Sequence, residues 1–267
     1  MTINRNFKKY LKKSVLVWIG GKFFLLKYLN KLLNTKHRIY VEVFGGAGHL
    51  LFYKQKSEIE VYNDIDKRLV NFFKVIKNKN DFKKFKEIIQ NYKFSKKTFI
   101  EARENINKTN DKVMKAVYFF ILNRLSYAGN CRSYAKSLKK RKSYKNIIKF
   151  YLDYAHNRLK DVIIENLDFK DCILKYDSKD TLFFIDPPYL KSQQKLYDYK
   201  LTIERHLELL KLVKSCKAKV ILCSDNNEVY KEELKSWNKK TIRTYLFMVK
   251  AKKRKRRLDI IYYNFEI

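Results

Sequence analysis

The tetrad Asp186-Pro187-Pro188-Tyr189 is the segment whose residue types point most directly to chemistry. It follows the apolar run of residues 181–185 and contains both prolines of the chain. Proline fixes φ and has no N–H, so the loop is rigid and the Pro187 carbonyl lacks a competing donor. The Asp186 carboxylate and the Pro187 carbonyl can both accept hydrogen bonds from one exocyclic NH₂ group, which holds its nitrogen ready to attack a methyl group. Tyr189 offers a face for a nucleobase, and such stacking contributes about 1–3 kcal/mol.

A second candidate site is the glycine-rich sequence Phe44-Gly45-Gly46-Ala47-Gly48, which follows a predicted strand and opens a helix. Glycines at this place let backbone N–H groups approach a ligand closely at the carboxyl end of the strand. Asp64 ends the next predicted strand, and a carboxylate there can accept hydrogen bonds from ribose hydroxyls. The pair indicates a cofactor that contains adenosine, with a simple glycine turn as the alternative.

The elements around these motifs alternate between strand-like apolar runs and amphipathic helices, which is typical of an α/β sheet. Strands are predicted at residues 38–44, 59–62, 162–165, 181–185, 219–223, 241–249 and 258–265. Helices are predicted at residues 66–77, 206–215 and 227–237. The run 181–185 is apolar throughout, as expected of a central parallel strand that is covered on both faces. The close final pair of strands predicts an antiparallel hairpin at the edge of the sheet.

The strand signal stops between residues 78 and 160. Here residues 81–91, 95–107 and 112–126 have helical spacing, with Asp81 and Ser95 as predicted N-caps. We therefore predict a sheet domain formed by residues 1–77 and 161–267, and an inserted helical domain formed by residues 78–160. Residues 132–150 of this insert include no acid, and their basic residues are Arg132, Lys136, Lys139, Lys140, Arg141, Lys142, Lys145 and Lys149.

The composition predicts a globular protein that binds a polyanion. The chain has 267 residues, with 61 Lys and Arg against 27 Asp and Glu, and a net charge of +34. A hydrophobic fraction of 46% is enough for an extended core, so bulk disorder is not expected. Nucleic acid is the obvious polyanion for this charge, although an AT-rich genome would also produce many lysines.

The remaining sequence features argue against export, membranes and metals. Cys131, Cys172, Cys216 and Cys223 lie far apart without a CxxC pair, which argues against a disulfide framework and a structural zinc site. An apolar run at residues 14–21 follows four lysines, but it is too short for a signal peptide and lacks a cleavage site. No stretch approaches the roughly 18 apolar residues of a spanning helix. We therefore expect a cytoplasmic protein that needs no membrane and no metal.

Taken together, these motifs make the chain resemble the Dam family, the D12 class of DNA adenine-N6 methyltransferases. The matching segments occur in family order and span nearly the whole chain: Trp18-Ile19-Gly20-Gly21-Lys22, residues 44–48, Asn63-Asp64-Ile65-Asp66, Asn123-Arg124 with Gly129 and Cys131-Arg132, Asp168-Phe169, residues 186–189, and Leu258-Asp259-Ile260-Ile261 with Tyr263-Asn264. The resemblance implies a Rossmann-like S-adenosylmethionine-dependent methyltransferase sheet with an inserted helical DNA-recognition domain. One departure is Ala128-Gly129-Asn130, where several relatives carry Asn-Gly-Leu.

The family resemblance also implies the chemistry and the residues that perform it. The substrate is double-stranded DNA, and a methyl group passes from S-adenosylmethionine to N6 of a flipped-out adenine without a covalent enzyme intermediate. Catalysis is expected from Asp186, Pro187, Pro188 and Tyr189. Cofactor contacts are expected from Trp18, Lys22, Phe44, Gly45, Gly46, Asp64, Asp168, Phe169 and Asp186. DNA contacts are expected from Arg124, Arg132, Lys139, Lys140 and Arg141.

Within that expectation, Trp18 packs on the cofactor, Lys22 reaches its methionine end, and Asp168 bonds its adenine with Phe169 against the ring. A cognate restriction enzyme is a conceivable partner. Each residue also has a plainer interpretation, because Trp18 could be core, Asp168 could cap a helix, and residues 250–257 could be a solvated hairpin turn. The histidines show no ligand spacing, and we assign them no role.

Three other functions stay open from the sequence. Cytosine-N4 methyl transfer uses the same kind of amine, although relatives with that activity usually carry Ser where Asp186 stands. An RNA adenine methyltransferase is a second alternative, but the large insert resembles the DNA enzymes. A catalytically silent DNA-binding protein on the same scaffold is the third, and the intact Trp18, Lys22, Asp64 and Asp186 argue against it.

Overall fold

The computed structural model describes residues 14–18, 25–136, 138–190, 199–245 and 256–267. Within these residues the chain divides into two compact units. The first comprises Gly46–Gln55, Asp66–Ile164 and the described part of Met1–Leu26. The second comprises Lys27–Gly45, Lys56–Ile65 and the described part of Glu165–Ile267. Each unit is a group of residues that pack against one another. The units do not test the sheet and insert domains expected from the sequence, which stay a prediction.

The described helices and strands alternate at both ends of the chain, and only helices lie between residues 66 and 160. The helices are α1 (Leu26–Leu33), α2 (His49–Tyr53), α3 (Lys67–Lys77), α4 (Lys79–Gln90), α5 (Lys96–Asn105), α6 (Lys112–Leu125), α7 (Leu138–Asn146), α8 (Leu152–Leu159), α9 (Phe169–Tyr176), α10 (Ile203–Ser215) and α11 (Glu228–Glu233). The strands are β1 (Ile39–Glu42), β2 (Ile59–Asn63), β3 (Ile163–Glu165), β4 (Thr181–Ile185), β5 (Lys219–Asp225), β6 (Asn238–Tyr245) and β7 (Arg256–Tyr263).

The strands form one seven-stranded sheet in the order β3-β2-β1-β4-β5-β7-β6. The central pairs β2–β1, β1–β4 and β4–β5 are parallel, whereas β7 runs antiparallel to both β5 and β6. This mostly parallel sheet confirms the predicted Rossmann-like α/β fold. It also confirms the final antiparallel hairpin, with β6 at the sheet edge.

Strand β4 is the centre of the sheet because its sequence suits burial on both faces. All five of its residues are buried, including Thr181, which donates its hydroxyl to the Tyr176 carbonyl at 2.7 Å. Phe183 and Ile185 belong to the apolar core of the second unit, together with Val41 of β1 and Val220 of β5. A run of apolar residues without polar alternation is what a doubly covered parallel strand requires.

The first unit contains α2 to α8 around an aromatic core. Phe72 of α3 stacks on Phe120 of α6 with centroids 5.9 Å apart and an interplanar angle of 6°. Phe72 also forms edge-to-face pairs with Phe85 and Phe119, with ring centroids 5.9 and 6.1 Å apart. Each such aromatic pair adds about 0.5–1.5 kcal/mol beyond burial. Every residue of α6 from Ala116 to Leu125 is buried.

Local capping residues explain where several helices begin and where the sequence-based bounds differ. Ser95 caps α5 as predicted, but Asp81 is not the cap of α4, because Asn78 accepts from Asn80 and Asp81 and starts the helix earlier. Thr202 likewise starts α10 three residues before the predicted bound, by accepting from the amide of Arg205. In each case a short polar side chain satisfies amides that the first helical turn leaves unpaired.

Asn63, at the end of β2, ties together three backbone segments of the second unit. Its Nδ2 donates to the Val43 carbonyl at 2.9 Å and to the Leu167 carbonyl at 3.1 Å. Its Oδ1 accepts from the Leu167 amide at 2.8 Å, and the residue is 1% exposed. The end of β1, the end of β2 and the chain before α9 are thus fixed against one another by one buried side chain.

We expect Asn63→Ala to lower the free energy of unfolding by about 3 kcal/mol, because it leaves buried backbone groups without their partner. Asn238→Ala is the matched control, since Asn238 is exposed and donates one hydrogen bond at 3.2 Å. Urea unfolding followed by circular dichroism measures both variants. Equal losses of unfolding free energy in the two variants would contradict the stabilising role of the Asn63 hydrogen bonds.

Candidate active site

The carboxyl ends of the parallel strands meet at one edge of the sheet and carry most of the predicted site residues. Residues 43–45 follow β1, Asp64 follows β2, and Asp186 follows β4. The backbone there is fixed by hydrogen bonds, since the Val43 amide donates to the Phe184 carbonyl at 3.1 Å and the Gly45 amide to the Asn63 carbonyl at 2.8 Å. Asn166 Nδ2 donates to the Asp64 carbonyl at 2.8 Å, which fixes the chain after β2.

Glycine is required at position 45 because Tyr62 of the neighbouring strand leaves no room for a side chain. A Cβ atom at Gly45 would lie 2.3 Å from Cε2 of Tyr62, which is fully buried in β2. Contacts this short do not occur, so any side chain would displace the end of β1. The glycine therefore keeps the backbone of the β1 end close to β2, and the predicted close approach of its backbone to a ligand stays a prediction.

In the first unit, Gly46 lies against Trp18. Gly46 has φ +51°, and a Cβ atom would lie 2.8 Å from Cδ1 of the indole. The segment that carries Trp18 is held by Asn123 of α6, whose Oδ1 accepts from the Val17 amide at 2.9 Å and whose Nδ2 donates to the Val17 carbonyl at 2.6 Å. Trp18 is partly exposed, so part of its ring is available to a ligand.

A cavity of about 200 Å³ opens at the sheet edge of the second unit. Its walls include Phe44, Asp168, Phe169, Pro188 and Arg205. The rings of Phe44 and Phe169 are stacked with centroids 5.8 Å apart. An aromatic wall with a carboxylate beside it suits a planar heterocycle with an amino group.

Asp168 performs two tasks at this cavity. Its Oδ1 caps α9 by accepting from the Lys170 amide at 3.0 Å, which the sequence offered as its plainer role. Both carboxylate oxygens also accept from Nη2 of Arg205 in α10, at 2.7 and 2.6 Å, and this pairing raises the pKa of Arg205. The guanidinium lies over the Phe169 ring at 4.3 Å. Sequence reasoning missed Arg205, because no local pattern links it to Asp168.

The loop of residues 186–189, predicted to be catalytic, leaves β4 at the rim of the same cavity. Asp186 and Pro188 are half-buried, and Pro188 lines the cavity. Tyr189 is 3% exposed and donates its hydroxyl to Asp259 of β7 at 3.1 Å. Stacking of a base on Tyr189 therefore requires its ring to become accessible, and this role stays a prediction.

In the first unit, two of the three arginines that were predicted to contact DNA differ in their exposure. Arg124 is 8% exposed, its Nη2 donates to Ser143 at 2.6 Å, and burial lowers its pKa to about 10. Arg132 is exposed. Arg124 consequently serves the packing between α6 and α7 in this structure, and a DNA contact by it would need the side chain to leave its buried place.

Several predicted residues lie outside what the structure describes. Lys22 is one of them, as are most residues of the 250–257 run. The side chains of Lys139, Lys140 and Arg141 in α7 are also outside the described set. No helix among the described residues is long and apolar enough to cross a membrane. Those residues also contain no group of three or more His, Cys, Asp or Glu that could hold a metal ion.

A family model settles the relationship that the motifs indicate. The model for the D12 class N6 adenine-specific DNA methyltransferases matches residues 18–258. The chain belongs to this family. The match begins at Trp18 and includes both the glycine-rich segment and the Asp186–Tyr189 loop, so it covers both units.

Individual relatives agree with the family. The chain is 26% identical over 247 residues to the DNA adenine methylase of Haemophilus influenzae, an alignment that covers 85% of this chain and 84% of that protein. It is 30% identical over 122 residues to the DNA adenine methylase of Escherichia coli, covering 45% of this chain and 43% of that protein. The Vibrio cholerae enzyme of the same name is 26% identical over 123 residues, covering 45% and 44%.

Proposed function

We propose that this D12-class enzyme transfers a methyl group from S-adenosylmethionine to N6 of an adenine that is flipped out of double-stranded DNA. The observation that carries the proposal is the position of Asp186-Pro187-Pro188-Tyr189. The loop follows the buried central strand β4 and borders an aromatic cavity. A rigid pair of acceptors at the carboxyl edge of a parallel sheet is where such a fold binds its ligands.

The residues at the sheet edge fit S-adenosylmethionine. The stacked Phe44 and Phe169 offer a wall for its adenine, and the carboxylate of Asp168 offers an acceptor for the adenine amine. Asp64 follows β2, where a carboxylate can accept from ribose hydroxyls. When bound, the cofactor supplies an electrophilic methyl group on a sulfonium centre.

The chain's own contribution is to orient the target amine and exclude water. The Asp186 carboxylate and the Pro187 carbonyl accept the two N–H groups of adenine N6, which turns the nitrogen lone pair toward the methyl group. The base must leave the duplex first, at a cost of a few kcal/mol. Tyr189 is the ring on which it would then stack.

The positive charge of the chain supports DNA as the substrate. Exposed basic residues in the acid-free stretch of 132–150 form what we call the basic segment: Arg132, Lys136, Lys142, Lys145 and Lys149. Phosphate contacts position a protein on DNA without reading sequence. A cytoplasmic location belongs to the same proposal and is supported by four free cysteines.

We expect Asp186→Ala to reduce methyl transfer at least about 10³-fold, since it removes one of the two acceptors for the target amine. Asp186→Asn keeps an acceptor oxygen and should lose less. Transfer of a tritiated methyl group to DNA is the measurement, with circular dichroism as the check on folding. Turnover by Asp186→Ala at the wild-type rate would refute the assignment of this loop.

Asp64→Ala should weaken binding of S-adenosylmethionine about tenfold or more, because hydrogen bonds to a charged group contribute about 1.5–3 kcal/mol. Isothermal titration calorimetry measures the dissociation constant. Asp180→Ala is the control, since Asp180 is exposed and precedes β4 at the opposite end of the sheet. Unchanged affinity in Asp64→Ala would show that Asp64 makes no contact with the cofactor.

The basic segment gives a salt-dependent prediction. Replacing Lys136, Lys142, Lys145 and Lys149 by Gln should flatten the plot of log K for DNA against log salt by about 0.9 for each lost phosphate contact. Binding should weaken to a similar extent for all DNA sequences. Fluorescence anisotropy at several salt concentrations measures the slope.

The matched control replaces four exposed lysines of α4 and α5 in the same unit by Gln: Lys83, Lys84, Lys96 and Lys97. It removes the same charge outside the basic segment. Equal slopes in the two fourfold variants would show that net charge alone, rather than phosphate contacts by the basic segment, governs binding.

A further inference from the structure

An arginine that the proposed chemistry does not use lies in the wall of the aromatic cavity. Arg205 is in the first turn of α10, where its amide donates to Oγ1 of Thr202 at 3.4 Å. Both residues line the cavity. The central carbon of the guanidinium lies 4.3 Å from the centroid of the Phe169 ring, well within the range of a cation–π contact. The charged end of Arg205 therefore covers an aromatic ring that we expect beside the cofactor adenine.

The same guanidinium uses part of the hydrogen-bonding capacity of Asp168. Each oxygen of a carboxylate has about two acceptor sites. Oδ1 of Asp168 accepts from the Lys170 amide at 3.0 Å and from Nη2 of Arg205 at 2.7 Å, so both of its sites are used. Oδ2 accepts from Nη2 of Arg205 at 2.6 Å, and the contacts among the described residues leave a second site on this oxygen. A further amine donor in the cavity is therefore expected at Oδ2.

Arg205 also sets the orientation of that carboxylate. If the Lys170 amide were its partner alone, Oδ1 would stay at the start of α9, but Oδ2 could turn about the Cβ–Cγ bond. Packing does not prevent this turn, since the side chain of Asp168 is 40% exposed. Acceptors of this kind prefer donors near the plane of the carboxylate. Contacts from one nitrogen to both oxygens therefore favour a single orientation of the plane.

Arg205 is itself held by an acid one turn further along its own helix. Its Nη1 donates to Oε2 of Glu208, and Nζ of Lys170 lies 3.2 Å from Oε1 of Glu208. The circuit of alternating charges thus starts at Asp168, crosses to α10 and returns to α9. All four side chains are partly in contact with solvent, where ion pairs contribute little to stability. The main consequence of the circuit is therefore the orientation of its members.

We infer that Arg205 is a positioning residue for the cofactor: by holding both oxygens of Asp168, it directs Oδ2 to the exocyclic amine of the cofactor adenine and makes the cavity select a purine that carries this amine. The inference rests on the proposed function, because Asp168 meets an adenine only if S-adenosylmethionine binds here. Arginine suits the task, since its planar guanidinium can pair with a carboxylate and stack on an aromatic ring at once, which an ammonium group cannot do.

The test compares two ligands that differ in the amine alone. S-adenosylhomocysteine is the product that the cofactor leaves after methyl transfer, and its deamino analogue has hydrogen in place of the exocyclic amine. Isothermal titration calorimetry on the full chain measures both dissociation constants. We expect the wild type to prefer S-adenosylhomocysteine by about tenfold or more, because hydrogen bonds to a charged group are strong.

Arg205→Met should lower that preference by about fivefold or more, since groups in one hydrogen-bond network are strongly coupled. Its affinity for the deamino analogue should stay within about twofold of the wild type, because the flexible methionine side chain can still cover Phe169. Arg205→Lys can still pair with Asp168 but has no plane to stack, and its preference should lie between those of the wild type and Arg205→Met.

Arg38→Met is the matched control. Nε of Arg38 lies 3.2 Å from Oε2 of Glu58, at the opposite end of β1 from the cavity, so this variant also breaks a pair between an arginine and a carboxylate. It should show the wild-type preference. Circular dichroism and Tm report on folding in every variant.

Arg205→Met with a preference at or above the wild-type value overturns the inference. Equal losses of affinity for both ligands overturn it too, because they show that Arg205 only maintains the shape of the cavity. If Arg205→Met does not fold, Arg205→Lys decides, and a wild-type preference there contradicts the inference. Failure of the proposed function gives a different result: a wild-type protein that binds neither ligand refutes the cofactor site itself, whereas wild-type binding without preference for the amine overturns the role of Arg205 alone.

Discussion

The parallel register of β1, β2, β4 and β5 is the constraint on which the rest of the structure depends. Pairing of Val41 with Val61 and with Phe183 sets these strands side by side so that their carboxyl ends reach one edge. In the second unit, Phe44 and Gly45 follow β1, Asp64 follows β2 and Asp186 follows β4. A shift of register by one residue would exchange the two packed faces of a strand and displace its carboxyl end by about 3.3 Å along its length.

Polar side chains fix the loops at that edge. Asn63 joins the ends of β1 and β2 to the chain before α9. Asp168 and Arg205 join α9 to α10 beside the aromatic cavity. Under the proposed function, methyl transfer requires the reacting groups to be closely aligned, and these contacts limit the movement of the loops that carry them.

The sequence predicts those features that follow from local pattern. The apolar run of β4 predicts the central strand, and the tetrad after it predicts a loop that borders the cavity, because both signals lie in consecutive residues. The catalytic role of that loop stays a prediction. The glycine at position 45 is equally visible in the sequence, but the reason for it, the close contact with Tyr62 of β2, is visible only in the structure.

Other features depend on contacts between distant segments, and no local pattern reveals them. Arg124 was expected to contact DNA, yet it lies in the part of α6 where every residue from Ala116 to Leu125 is buried. Arg205 pairs with a carboxylate 37 residues away. The burial of His206 could have been predicted from one feature of the sequence. His206 shares the apolar face of α10 with Leu209, Leu210 and Val213, a position where a histidine is buried and needs polar partners.

The central claim is that this chain methylates N6 of adenine in DNA. The most direct test is to incubate the purified protein with unmethylated duplex DNA and S-adenosylmethionine, digest the DNA to nucleosides, and identify the modified base by mass spectrometry. We expect N6-methyladenine as the product, and none from Asp186→Ala. Appearance of N4-methylcytosine instead, or methylation of RNA but not DNA under the same conditions, would contradict the account.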